Sequence, residues 1–164
     1  MHYENLSSLE AYLTEVEMAL LCKERRVPVK FPASAVAPWD RETLERANQE
    51  LLGRVSRGAN LYAIYTADCG AESYSLRYIG KTKKTGARER IKNHLFHKNG
   101  KTGAKLAEIM AHACSGGTVE LAWVEVSPQS LRNYLEEELI GRHPEADWNR
   151  ENGAKRKAKL RLGE

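Results

Sequence analysis

Residues 61–82, LYAIYTADCGAESYSLRYIGKT, decide the fold of this 164-residue chain. Residues 61–66 are rich in aromatic and β-branched side chains, which favour a strand. Asp68-Cys69-Gly70 is typical of a turn, and residues 73–79 predict a second strand. Two strands connected in this way predict an antiparallel hairpin with a long loop.

Helical periodicity surrounds this hairpin on both sides. Upstream, apolar residues spaced three and four apart predict two helices, and three prolines keep the segment between them extended. Downstream, the pattern predicts two helices, one strand and a final helix. The predicted bounds are 7–25 and 41–56 for the upstream helices, 27–39 for the extended segment, 87–97, 101–114 and 129–142 for the downstream helices, and 118–126 for the strand. The predicted fold is therefore α/β, of the α+β kind, with a small three-stranded antiparallel sheet flanked by helices.

The composition indicates one compact domain with short additions at both ends. A chain of this length with 41% hydrophobic residues buries a core without needing disulfides or a structural metal. The three cysteines form no CxxC pair, which argues against a disulfide framework or a cysteine zinc site. We divide the chain into an N-terminal helical extension, 1–57, a core, 58–150, and a basic tail, 151–164.

The apolar runs of the sequence are short. None approaches the roughly 18 to 20 residues that span a bilayer. The first residues lack the basic and apolar regions of a secretory signal. We therefore expect a cytoplasmic protein with no membrane partner.

Positive charge is concentrated in the second half of the chain. Residues 81–110 carry nine basic side chains against two acidic ones, whereas residues 1–57 carry eight basic and nine acidic. The tail is basic as well. A phosphate backbone rewards such a distribution through counterion release, so the sequence favours a nucleic-acid partner.

Two short motifs on the predicted hairpin point to a family. Tyr62-Ala63-Ile64-Tyr65 lies on the first strand, and Arg77-Tyr78-Ile79-Gly80-Lys81-Thr82 lies on the second, with Tyr78 thirteen residues after Tyr65. This arrangement resembles the paired signature of the GIY-YIG nuclease superfamily. Ala63 stands where that family usually has glycine.

The resemblance continues downstream over residues 60–150. Arg90-Ile91-Lys92-Asn93-His94 is similar to the family's arginine helix, in which a histidine follows one turn later. Leu135-Glu136-Glu137-Glu138-Leu139-Ile140, then Pro144 and Trp148-Asn149, resemble its glutamate helix and closing asparagine. Five landmarks in the right order are a specific signal, whereas Tyr-Ile-Gly alone is a weak one.

The resemblance implies roles for the matched residues. Tyr65, aided by Tyr78 or His94, would position and activate a water molecule. Arg90 and Lys81 would stabilise the negative charge that grows on the phosphate under attack. Each residue also has a plain structural interpretation. A lone strand tyrosine is typical of a core, and Arg90 or Lys81 can be a solvated charge.

Three consecutive glutamates compete for the metal position. Glu136, Glu137 and Glu138 lie about 100° apart around a helix, so only one can face a given cleft. The family spacing selects Glu136, with Glu137 as the alternative. A single carboxylate suits Mg²⁺ (or Mn²⁺), which keeps much of its hydration, and Asn149 would fix that corner by hydrogen bonds.

The predicted function is a metal-dependent DNA endonuclease of the small, self-contained restriction type, acting on duplex DNA as a homodimer. The residues predicted to contact DNA phosphates are Lys81, Lys83, Lys84 and Lys92. Two alternatives stay open. One is a structure-specific, repair or homing nuclease of the same family, and the other is a catalytically inactive DNA-binding module with the same fold.

Overall fold

The computed structural model describes residues 5–97 and 104–150 as an α+β domain. The predicted tail, 151–164, and the start of the predicted helix 101–114 lie outside the described residues. Short 3-10 turns occur at Lys23–Arg25, Lys84–Gly86 and Gln129–Leu131. The helices and strands, in chain order, are α1 (Leu6–Leu21), β1 (Val27–Pro28), α2 (Ala33–Val36), α3 (Arg41–Ala47), α4 (Gln49–Gly58), β2 (Leu61–Ala67), β3 (Ser75–Lys81), α5 (Ala87–Leu95), α6 (Leu106–Cys114), β4 (Thr118–Val124) and α7 (Arg132–Arg142).

The sheet has four antiparallel strands in the order β1-β4-β2-β3. The prediction of three strands was wrong. It lacked β1, which has only two residues and lies within a proline-rich segment. Val27 pairs with Leu121 and Pro28 with Glu120. Pro28 fits there because β1 is an edge strand, where a missing N–H need not break a ladder.

The central strand β2 is buried on both faces of the sheet. On one face, Tyr62 and Ile64 share a core cluster with residues of α4, α5 and α6, and we call this the α4/α5 face. On the other face, Ala63 and Tyr65 share a cluster with residues of α1 and α7, which we call the α1/α7 face. The segment 1–57, predicted as an N-terminal extension, supplies buried residues to both clusters.

A β-bulge at Arg77 changes which face the side chains of β3 occupy. Tyr65 pairs with Leu76, but Ile64 pairs with Tyr78, so Arg77 is the extra residue. Leu76 therefore faces α1 and α7, whereas Tyr78 faces α4 and α5. The backbone N–H of Trp148 donates to the carbonyl of Arg77 at 2.9 Å, which satisfies a group at the bulge.

The single helix predicted over 41–56 is two helices, α3 and α4, separated at Asn48. The Asn48 side chain is buried and hydrogen-bonds both backbone groups of Lys30, each at 2.8 Å. Its amide also donates to the Leu44 carbonyl at 2.8 Å. The amide thus holds the extended segment against the helices, a role that helical periodicity does not reveal. None of the described helices is long and apolar enough to cross a membrane.

Candidate active site

Two tyrosines meet on the α4/α5 face of the β2–β3 hairpin. The ring centroids of Tyr62 and Tyr78 are 6.1 Å apart. Gly80, which pairs with Tyr62, makes this approach possible. A Cβ at Gly80 would lie 2.6 Å from Cε1 of Tyr78 and 2.7 Å from Cζ of Tyr62. The absence of a side chain at Gly80 therefore creates the space in which the two phenols sit.

The expected pairing of Tyr65 with Tyr78 is not formed, because the two side chains lie on opposite faces of the sheet. The Tyr65 hydroxyl donates to the Leu20 carbonyl at 2.9 Å, and the Arg26 guanidinium lies 3.9 Å from the Tyr65 ring centroid. Burial raises the pKa of Tyr65 to about 12. Tyr65 thus has a structural environment, and Tyr62 is the β2 tyrosine that accompanies Tyr78.

Helix α5 brings an arginine and a histidine to these phenols. Nε of Arg90 donates to the Tyr62 hydroxyl oxygen at 3.2 Å, and its Nη2 donates to the Tyr78 oxygen at 3.4 Å. Nε2 of His94 lies 2.8 Å from the Tyr62 oxygen. Arg90 and His94 are four residues apart and so share one helix face, as the sequence indicated. The buried Ile91 between them packs α5 onto the sheet.

The hydrogen bonds around His94 define its tautomer. The backbone N–H of Lys105 donates to Nδ1 at 3.1 Å. Burial, followed by the charges of Arg90 and Lys105, holds the pKa of His94 well below its ordinary value of 6.5. A neutral His94 with an accepting Nδ1 carries its proton on Nε2. The Tyr62 oxygen therefore receives two N–H donors, one from His94 and one from Arg90.

The same burial keeps the two phenols protonated in the free protein. Burial raises the pKa of Tyr62 and of Tyr78 above the ordinary value of 10, while the guanidinium of Arg90 opposes the rise. Burial alone would lower the pKa of Arg90, but its interactions with Tyr62 and Tyr78 raise it. Arg90 therefore stays a cation held between two hydroxyl oxygens, and additional positive charge is needed to form a phenolate.

Glu136 on α7 pairs with Lys81 at the end of β3. The Lys81 Nζ and Glu136 Oε2 atoms are 2.6 Å apart, and the Glu136 side chain is only 14% exposed. The carboxylate also contributes to the raised pKa of both phenols. Glu137 and Glu138 are exposed. Of the three glutamates, Glu136 is thus the partly buried one, and it is the one whose charge affects the pKa of the two phenols.

Asn149 fixes the backbone of β3 next to the site. Its buried side-chain amide accepts from the Ile79 N–H at 2.9 Å and donates to the Ile79 carbonyl at 2.8 Å. The amide therefore continues the edge of the sheet in the manner of a paired strand. The role expected for Asn149 at the metal corner stays a prediction, and the hydrogen bonds that the side chain makes hold the backbone just before Gly80.

The remaining predicted phosphate contacts differ in their surroundings. Lys83 is exposed beside the site-bearing strand. The Lys84 Nζ lies 2.7 Å from Oε1 of Glu125. The Lys92 Nζ is turned toward Glu45 on α3, at 3.3 Å. Because Lys92 follows Arg90 by two residues, it points about 200° away from it around α5, and the structure does not bring it to the tyrosines.

Lys105 is a site neighbour that motif spacing missed. Its Nζ lies 5.6 Å from the centroid of the Tyr78 ring and 3.6 Å from Oε1 of Glu108. In the sequence it was one of nine basic residues in 81–110, with no signal to separate it from the others. Tyr62, by contrast, lies inside the quoted motif, but the resemblance assigns the catalytic role to Tyr65, three residues later.

The tyrosine site therefore combines hydroxyl, guanidinium, imidazole, ammonium and carboxylate groups from four elements. Tyr62, Tyr78, Arg90 and His94 are joined by hydrogen bonds or ring contacts, and the Lys81–Glu136 pair adjoins them at the end of β3. Comparison of the chain with protein-family models, with curated proteins and with solved structures finds no match. A function must consequently be argued from the chemistry of the site.

Proposed function

We propose that the protein is a metal-dependent endonuclease that hydrolyses phosphodiester bonds in DNA, with a GIY-YIG-like core. The observation that carries the proposal is the meeting of Tyr62 and Tyr78 with Arg90 and His94 over Gly80, with the Lys81–Glu136 pair at the next residue of β3. Apart from Tyr62, these residues belong to three separate segments of the sequence that the family resemblance had already marked, and a fold unrelated to that resemblance has no reason to bring them together.

Tyr62 takes the position that the sequence assigned to Tyr65. The first half of the paired signature is then Asn60-Leu61-Tyr62, three residues earlier, and Asn60 stands in the family's glycine position. The Asn60 side chain is buried and bonds the Val126 N–H at 2.7 Å and carbonyl at 2.8 Å. A polar residue is accommodated there because these two hydrogen bonds satisfy its buried amide.

In the proposed reaction a water oxygen attacks phosphorus and gives up a proton to solvent, the bond from phosphorus to the leaving oxygen breaks, and the leaving oxygen takes up a proton from solvent. Tyr62 holds the water through its hydroxyl, which His94 and Arg90 orient by N–H donation. Arg90, which also reaches Tyr78, offsets the charge that grows on the phosphate.

The residues present fit a divalent cation that keeps most of its water. No group of three or more His, Cys, Asp or Glu side chains suited to a metal occurs within 5–97 and 104–150. Glu136 offers one half-buried carboxylate, and Mg²⁺ or Mn²⁺ at a phosphodiesterase site needs few protein ligands. When bound, the cation would supply the positive charge that activates water and offsets charge on the phosphate.

Duplex DNA is the substrate we propose, with restriction-type cleavage by a homodimer. The basic balance of 81–110 suits a phosphate backbone. One tyrosine site cuts one strand, so two sites related by a dimer axis would cut both strands of a symmetric sequence.

The test is incubation of the purified protein with plasmid and phage DNA, with Mg²⁺ and with EDTA. Discrete Mg²⁺-dependent bands are the expected result. Glu136→Gln should reduce cleavage about 100-fold or more while retaining DNA binding, because it removes the proposed metal ligand but no phosphate contact. Glu137→Gln, the matched control from the exposed side of α7, should cut normally.

Intact DNA with a mobility shift would contradict the proposal for these substrates and favour a DNA-binding module. Branched or nicked oligonucleotides then test for a structure-specific nuclease. Equal loss of cleavage in Glu136→Gln and Glu137→Gln would remove Glu136 from its assigned position.

A further inference from the structure

The Lys81–Glu136 pair is partly buried and adjoins the tyrosine site through Gly80, the residue before Lys81 on β3. Its Nζ–Oε2 distance is 2.6 Å, and the two side chains are 33% and 14% exposed. Lys81 directly follows Gly80, which makes room for the phenols. The carboxylate of Glu136 is close enough to influence the pKa of Tyr62 and Tyr78.

The ion pair conflicts with the roles proposed for the two residues, metal binding by Glu136 and phosphate binding by Lys81. A Glu136 oxygen that contacts an ammonium is not free for a divalent cation, and a Lys81 ammonium held by a carboxylate is not free for a phosphate. The conflict is resolved if cation binding by Glu136 and phosphate binding by Lys81 occur together. We propose that Lys81 is the built-in counter-ion of Glu136, and that a divalent cation binding at Glu136 releases Lys81 toward the substrate phosphate. This inference rests on the proposed function.

Thermodynamic linkage makes the proposal quantitative. If the cation displaces Lys81, then a phosphate that draws Lys81 away must raise the affinity of Glu136 for the cation by the same factor. Other cations around the site are engaged differently. Arg90 donates to the two phenols, and Lys84 pairs with Glu125. Lys81 is the side chain whose removal should reveal the coupling.

The experiment titrates Mn²⁺ alone into the full-length protein without DNA and follows free Mn²⁺ by its EPR signal. Lys81→Met should bind Mn²⁺ about five- to tenfold more tightly than the wild type, the lower end of the usual range for coupled sites. Lys81→Arg restores the counter-ion and should return the affinity to within about twofold of the wild type.

Lys83→Met is the matched control for charge. It removes the same charge two residues away from an exposed side chain, so screening should limit its effect on Mn²⁺ affinity to less than about twofold. The double variant Lys81→Met/Glu136→Gln should lose the gain, because the carboxylate that binds the cation is gone. Lys81→Gln replaces Lys81→Met if the latter does not fold by circular dichroism.

The inference is overturned if Lys81→Met binds Mn²⁺ no more tightly than Lys83→Met, or if neither neutral Lys81 variant binds Mn²⁺ at millimolar concentration. It is supported if the gain appears and depends on Glu136. The cleavage assay separates this from the proposed function. If the wild type cuts DNA but Lys81→Met gains no Mn²⁺ affinity, the nuclease proposal stands and the counter-ion proposal is rejected. If Lys81→Met gains Mn²⁺ affinity but the wild type does not cut DNA, the counter-ion pairing stands and the nuclease proposal is rejected.

Discussion

Gly80→Ala tests the central feature of the site, the space that lets the two phenols meet. The added Cβ would lie 2.6 Å from Tyr78 Cε1 and 2.7 Å from Tyr62 Cζ and Oη, where ordinary contacts are 3.4–4 Å. The shortfall is about 0.8 Å on two ring systems. Tyr62 is fully buried and hydrogen-bonded, so its ring cannot turn aside cheaply.

Overpacking of this kind costs about 1–3 kcal/mol. In a domain of this size each kcal/mol lowers Tm by roughly 2–4 °C, so Gly80→Ala should melt about 3–10 °C below the wild type. If the protein cleaves DNA as proposed, displacing the phenols by up to about 1 Å should reduce the rate about 100-fold. The assays are thermal denaturation by circular dichroism and plasmid cleavage.

Gly53→Ala is a control with the same chemical change and the opposite sign. Gly53 lies inside α4, and a Cβ there would meet nothing within 4 Å. Alanine is favoured over glycine in a helix by about 0.5–1 kcal/mol, so Tm should rise by roughly 1–4 °C. A Gly80→Ala protein that melts at or above the wild-type Tm would refute the steric argument.

The remaining predictions distinguish the roles of Tyr62 and Tyr65 and concern the dependence of stability on pH. Tyr62→Phe should reduce DNA cleavage about 100-fold or more. Tyr65→Phe should keep cleavage and lose about 1 kcal/mol of unfolding free energy, since it removes the hydroxyl's hydrogen bond to Leu20 and its interaction with Arg26. Gel cleavage and urea denaturation measure the two effects, and equal cleavage by both variants would contradict the assignment. Because the pKa of His94 is lower in the folded protein than its ordinary 6.5, the unfolded chain takes up this proton first as pH falls. The stability that the neutral His94 contributes should therefore be complete above about pH 6.5 and decline below it. The fall in urea midpoint from pH 7.5 to 5.5 should be smaller in His94→Gln than in the wild type. An equal fall in the two proteins would count against a buried neutral imidazole.

The location of the site was predictable because its parts lie on strongly patterned elements. The hairpin follows from aromatic and β-branched residues, and the Arg90–His94 pair follows from helical spacing, which places residues four apart on one face. The choice of Glu136 over Glu137 as metal ligand comes from spacing to Leu139 and stays a prediction; of the two, Glu136 is the partly buried one and pairs with Lys81. These features depend on local periodicity, which the sequence displays directly.

The errors arose where a single residue breaks that periodicity. Choosing between Tyr62 and Tyr65 requires knowing which face of β2 meets Tyr78, and the bulge at Arg77 reverses the faces along β3. A one-residue bulge leaves no composition signal, because any residue can occupy it. Asn48 likewise divides a regular apolar pattern through bonds to Lys30, a partner that only the tertiary structure supplies.

In the resemblance to the nuclease signature, Ala63 is the residue that stands in place of a glycine. The structure places it on the α1/α7 face, away from the tyrosine site, so alanine there neither fills nor opens the site. The steric demand for glycine falls on Gly80, where glycine is present. An argument for an inactive protein based on Ala63 therefore loses its force. The distinction between a nuclease and a binding module now depends on Mg²⁺-dependent cleavage and on its loss in Glu136→Gln, because Glu136 is the proposed metal ligand.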